Sequence, residues 1–155
     1  MPTESSNEIL ASELARIVES VFATMLDIEV HECEAPWSPN GDNLTAVLHL
    51  AGDWKGVVLL ECGRRQACHF ASRFLSIDPP ESVGDDVRDV LGELVSVIGG
   101  NVKFLLAPGI RLSTPSVVDG GDDCLRVCGT VVTHRLAFQC ADSLIWVTIL
   151  ATRPS

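Results

Sequence analysis

The sequence has little positive charge. Its 155 residues hold 11 Lys plus Arg against 21 Asp plus Glu, a formal net charge of −10. Neutralising phosphates takes a clustered basic surface, so this balance argues against a nucleic-acid partner and against an anionic membrane surface. Acidity of this size reports mainly solubility and names no partner. Long apolar runs are missing too, and nothing approaches the roughly 18 residues that a spanning helix needs. The start, Met1-Pro2-Thr3-Glu4-Ser5-Ser6, lacks a basic segment followed by an apolar run, so it does not read as a secretory signal. A soluble, cytoplasmic protein is expected, with no membrane association. Low-complexity tracts and long linkers are also absent. With 46% hydrophobic residues the chain can bury a core, and residues 1–155 are expected to form a single domain.

Six cysteines could make three disulfides. Without a secretory signal, buried free thiols are the expectation. Cys124-x3-Cys128 would share one face of a strand, and Cys68-His69 are adjacent on a helix. No CxxC pair or matching HxxxH accompanies them, so no metal site is assigned. Gly99-Gly100-Asn101 lacks the Lys-Ser/Thr ending of a phosphate loop. Trp37, Trp54 and Trp146 are scattered and read as ordinary packing.

Ser5-x2-Glu8 has capping-box form, and Ile9, Leu10, Leu14, Ile17, Val18, Val21, Phe22 and Met25 follow at helical spacing. A first helix is expected from about Ser6 to Leu26. Strand-like segments follow near 27–34, 44–51 and 56–62, then helical spacing over 64–76, ended by Pro79-Pro80. A second long helix is expected from near Glu81 to about Leu106, stopped by Pro108-Gly109. Strand-like segments recur near 110–118, 124–133, 135–141 and 143–151. The stretch from Val131 to Phe138 reads either as one bent strand or as two. The two halves share an element order, which suggests a pseudo-duplicated α+β domain with a mostly antiparallel sheet and the long helices on one side.

The second long helix carries the candidate site. At about 100° per residue, Asp86, Asp89, Glu93, Ser96 and Gly100 share one stripe, while Val87, Leu91, Leu94, Val95, Ile98, Val102 and Leu105 cover the opposite side. A solvated face is one reading of the stripe and a contact surface is the other. Two details favour contact. Gly100 sits inside the helix, where glycine costs roughly 1 kcal/mol relative to alanine, and it would let another surface approach closely. The stripe also lacks the Lys or Arg at i+4 that usually supports a solvated face.

The run Asp89-x3-Glu93-x2-Ser96-x3-Gly100-x2-Lys103 resembles the motif helix of the chemotaxis phosphatases of the CheX/CheC/FliY type. Their pattern is an acidic residue or Ser, then Glu, then Asn after two intervening residues, with Gly and often Lys further along. Gly52-Asp53-x2-Gly56 with Val57-Val58-Leu59-Leu60 looks like the family's strand before its short helix. Ser113-Thr114-Pro115-Ser116-Val117-Val118-x-Gly120 looks like the strand after the motif helix. The resemblance covers roughly residues 50–150, and the single motif helix fits the CheX branch.

The resemblance implies a CheX-like fold, a homodimer formed through edge strands, and a phosphorylated CheY-like response-regulator receiver as partner. It implies hydrolysis of the receiver's aspartyl phosphate, with Glu93 contacting the receiver's lysine and Asp86, Asp89 and Gly100 in the partner-binding surface. No cofactor of the protein's own is implied, since the receiver carries the Mg²⁺. The family's water-orienting Asn is replaced here by Ser96. An amide donates and accepts at once, whereas a hydroxyl is shorter and rotates freely, and water positioning in phosphoryl transfer depends on geometry. Asn101 lies about 140° around the wheel from Ser96 and cannot stand in for it on a regular helix. Three outcomes remain open: a phosphatase using Ser96, a receiver-binding module without turnover, or a retained fold without the interaction.

Overall fold

The computed structural model describes residues 4–37, 42–120 and 129–152. The elements run α1 (Glu4–Leu26), β1 (His31–Cys33), β2 (Asn43–Ala51), β3 (Gly56–Gly63), α2 (Arg64–Leu75), α3 (Asp85–Leu106), β4 (Arg111–Leu112), β5 (Ser116–Asp119), β6 (Thr130–Cys140) and β7 (Ser143–Thr152). The seven strands form one sheet in the order β1-β6-β7-β3-β2, with β4 and β5 both pairing with β2, and every pairing is antiparallel.

The expected duplication is visible in this topology. Each half contributes a long helix, short edge pairing and a hairpin. The edge strand of the first half, β1, pairs with β6 of the second, and β5 of the second pairs with β2 of the first. The central contact joins the two hairpins through β3 and β7. The strands of the two halves thus share one sheet.

Alternation along the strands separates two faces. Leu44, Ala46, Leu48, Leu50, Val58, Leu60, Cys62, Ile145, Val147 and Ile149 join all three helices in one core. Val47, Val57, Leu59 and Leu150 form a smaller cluster on the opposite face. Phe22 of α1 and Phe70 of α2 meet edge-to-face within the main core, ring centres 5.2 Å apart. The carbonyls at the end of α1 are covered by Arg73, whose Nε donates to Leu26 O at 3.0 Å and whose Nη2 donates to Asp27 O at 3.1 Å. Asp27, with φ of 54°, turns the chain out of the helix.

Three expected elements differ in detail, and one open alternative is decided. The motif helix starts at Asp85 rather than Glu81, because extended Gly84 is its N-cap and Arg88 N to Gly84 O, 3.1 Å, is an opening helical hydrogen bond. Asp85 and Asp86 then sit at the positive end of the helix dipole. The segment 110–118 is two short strands, since Pro115 has no N–H to donate to the ladder. Only His31–Cys33 of 27–34 is strand. The stretch around Val131–Phe138 is one strand with a bulge at Thr133, between the pairs Val132↔Leu150 and His134↔Ile149. Cys124 and Cys128 lie outside the described residues, whereas Cys62, Cys68 and Cys140 are buried free thiols. Arg64 opens α2. Among the described residues no helix is long and apolar enough to cross a membrane.

Candidate functional site: the ridge of helix α3 and its groove

Helix α3 is amphipathic with a narrow polar face. Val87, Val90, Leu91, Gly92, Leu94, Val95, Ile98, Gly99 and Val102 are buried against the sheet and the other helices. Asp86, Asp89 and Glu93 are exposed, and Ser96 and Gly100 are half-buried along the same line. The structure therefore brings the five expected residues together. Leu105, expected on the covered side, is instead 40% exposed at the helix end, beside Phe104.

What marks this ridge is its electrostatics. Among the described residues, no ion pair or side-chain hydrogen bond reaches Asp86, Asp89 or Glu93, and the Ser96 hydroxyl has none either. Three carboxylates within two turns, without a counter-charge, repel one another. Such a ridge suits a cationic surface arriving from outside.

Beside the ridge runs a groove of about 390 Å³, lined on α3 by Arg88, Asp89, Gly92 and Glu93 and on the facing arm by Thr114, Pro115, Ser116 and Val117. Gly92 sets its width: a Cβ there would stand 3.2 Å from Pro115 Cγ. The arm continues along β2 despite the proline, because Ser113 N donates to His49 O at 2.9 Å and His49 N donates to Ser113 Oγ at 3.0 Å. Arg88 ties helix to arm. Its Nη1 donates to Val117 O at 3.2 Å and its Nη2 to Asp119 Oδ1 at 3.0 Å. Arg64 Nη2 meets the same oxygen at 2.6 Å. The two guanidiniums, Arg88 foremost, hold the Asp119 carboxyl below its ordinary range.

The paired glycines have different surroundings. A Cβ on Gly99 would overlap Leu48 Cδ2, so this glycine is what lets α3 lie close to β2. A Cβ on Gly100 would rest at an ordinary 3.8 Å from Leu112 Cδ1. Asn101 points elsewhere, as the wheel required. Its Nδ2 donates to Val97 O at 2.8 Å, and it borders a depression shared with Glu13, Arg16 and Ile17 of α1. Among the described residues, no three His, Cys, Asp or Glu converge as a metal-ligand set.

Arg88 and Asp119 were not singled out from the sequence, and Thr114 and Ser116 were read only as part of the strand after the motif helix. Arg88 and Asp119 are 31 residues apart, and only the folding of β5 beside α3 brings them together.

The family model described as chemotaxis phosphatase CheX matches residues 44–139. The chain belongs to the CheX family. The matched stretch contains the whole α3 ridge, the facing arm and Arg88. No curated protein matches the chain. Solved structures do. The CheX chemotaxis protein from Vibrio vulnificus is 19% identical with a TM-score of 0.75, over 90% of this chain and 94% of that one. A CheX protein from Desulfovibrio desulfuricans is 19% identical with a TM-score of 0.73, over 92% and 98%. CheX in the CheX-CheY-BeF3-Mg complex from Borrelia burgdorferi is 18% identical with a TM-score of 0.68, over 92% and 97%. At such identities the shared feature is the CheX fold, α1 included, although α1 precedes the matched residues.

Proposed function

We propose that this protein engages the receiver domain of a phosphorylated, CheY-like response regulator through the α3 ridge, and hydrolyses its aspartyl phosphate. The observation that carries the reading is the line Asp86-Asp89-Glu93, exposed and without counter-charge, on the motif helix of a CheX-family chain. A receiver offers a lysine beside its phosphorylated aspartate. Glu93 would pair with that lysine, with Asp89 and Asp86 meeting neighbouring basic groups. Ser96 lies one helical turn on, its Cβ about 5–6 Å from that of Glu93, and its unengaged hydroxyl would orient the attacking water. Gly100 extends the contact without a side chain to hold the partner off. The Mg²⁺ belongs to the receiver. The similar CheX-CheY complex supports the choice of partner.

The second reading is a receiver-binding module without turnover, and Ser96 is the residue that favours it. A single hydroxyl lacks the paired donor and acceptor of an amide. Homodimer formation through an edge strand such as β1, and action in the cytoplasm, go with either reading.

The test is dephosphorylation of a phosphorylated receiver by wild type, Glu93→Ala and Ser96→Asn. Turnover by wild type that is lost in Glu93→Ala supports hydrolysis. Binding without turnover, with turnover gained in Ser96→Asn, rejects the enzyme and keeps the module. Absence of binding to any receiver rejects both.

A further inference from the structure

Arg88 is the sole basic residue in the first four turns of α3, and it lies in the same groove as Asp89 and Glu93. It is also three residues from Asp85, a spacing at which side chains on a helix meet. A guanidinium left free there would pair with Asp85, and its charge would lie beside Asp89 and Glu93 in the groove. Both of its described bonds instead lead away from the ridge, to Val117 O and Asp119 Oδ1. Asp119 is anchored independently of Arg88. Arg64 Nη2 holds its Oδ1 at 2.6 Å, while Arg64 Nε stands 3.7 Å from Asp42. The end of β5 is pinned to β2, where Thr45 Oγ1 donates to Gly120 O at 2.7 Å and Gly120 N donates to Asn43 O at 2.7 Å.

We infer that Asp119 is a positioning residue: it draws the Arg88 guanidinium away from the α3 ridge and so keeps Asp89 and Glu93 uncompensated for a cationic partner. The inference rests on the reading of the ridge as the receiver-binding surface. Without Asp119, Arg88 retains one bond, to a neutral carbonyl. A carboxylate is the stronger acceptor, so the guanidinium turns back to Asp85, three residues before it, and its charge beside Asp89 and Glu93 repels the receiver's lysine. The effect runs opposite to what loss of a structural bond alone would give, because removing Arg88 as well should restore binding.

The experiment measures receiver affinity for wild type, Asp119→Ala, Arg88→Gln and the double variant, alongside the NMR contacts of the Arg88 guanidinium in wild type and Asp119→Ala without receiver. Asp119→Ala should weaken binding roughly two- to fivefold, the range of one exposed ion pair. The double variant should return to the Arg88→Gln value, and Arg88→Gln, in which Arg64 still holds Asp119, should bind at least as tightly as wild type. Without receiver, Asp119→Ala should bring the Arg88 guanidinium into nuclear Overhauser contact with the Asp85 side chain, a contact absent in wild type. A double variant as weak as Asp119→Ala, a weakened Arg88→Gln, or an Arg88 guanidinium that keeps its wild-type contacts in Asp119→Ala would overturn the inference. An Arg88 guanidinium that moves as described, in a protein that binds no receiver, would instead strike the function proposed above.

Discussion

Gly99 and Gly100 are neighbours in one helix and gain alike from alanine, by about 0.5–1 kcal/mol of backbone entropy and propensity. Their packing differs. The methyl of Gly99→Ala would overlap Leu48 Cδ2, and Leu48 is completely buried between α3 and the sheet. It cannot withdraw without disturbing its own neighbours, and such overpacking costs about 1–3 kcal/mol. The methyl of Gly100→Ala meets Leu112 at ordinary contact distance. The propensity gains cancel in a comparison of the two variants, leaving Gly100→Ala more stable than Gly99→Ala by about 1–3 kcal/mol. For a chain of this size that is a separation of roughly 2–12 °C in Tm. Thermal unfolding by circular dichroism, with urea titrations of unchanged m-value, measures it. Adding Leu48→Ala should couple favourably with Gly99→Ala and not with Gly100→Ala. Equal melting temperatures, or a Gly99→Ala variant above wild type, would refute the close approach of α3 to β2. Gly100→Ala should also weaken receiver binding while remaining folded, if that glycine belongs to the contact surface.

Other consequences are measurable in the same way. Asn43→Ala should destabilise by about 1–3 kcal/mol in urea, because Asn43 Nδ2 donates at 2.8 Å to the carboxylate of Glu61, which is 2% exposed. Among the described cysteines, half-buried Cys33 should alkylate first in mass mapping. Cys62, whose thiol burial and then nearby Glu61 push far up, should react only as fast as the protein unfolds. Asp119 has a lowered pKa, so its stabilising contribution is fully present above the ordinary carboxylate value near about 4 and is lost as pH falls through its own lower value. The Tm gap between wild type and Asp119→Asn should therefore narrow as pH drops below about 4, and a gap that widens there would contradict the two-arginine arrangement.

Periodicity identified the three helices because each presents an apolar stripe to one core, a local property that survives in sequence. It failed where a tertiary partner decided the outcome. The break between β4 and β5 follows from Pro115 and from Gly92 packing against it, and the start of α3, expected near Glu81, follows from the Gly84 cap. The stretch from Val131 to Phe138, open between one bent strand and two, is one, because β7 runs unbroken beside it across the bulge at Thr133.

The α3 ridge was legible because all its members belong to one helix, so a spacing of three or four residues already fixes their common face. That ridge, the antiparallel α+β class and the membership implied by the motif come from the chain's local order. Only the tertiary structure decided that the ridge is electrostatically bare. Arg88, which lines the same groove, is drawn to a carboxylate 31 residues away, on a strand that pairs with the other half of the molecule. Helix geometry places a side chain on a face, but which charge answers it depends on what the fold brings alongside.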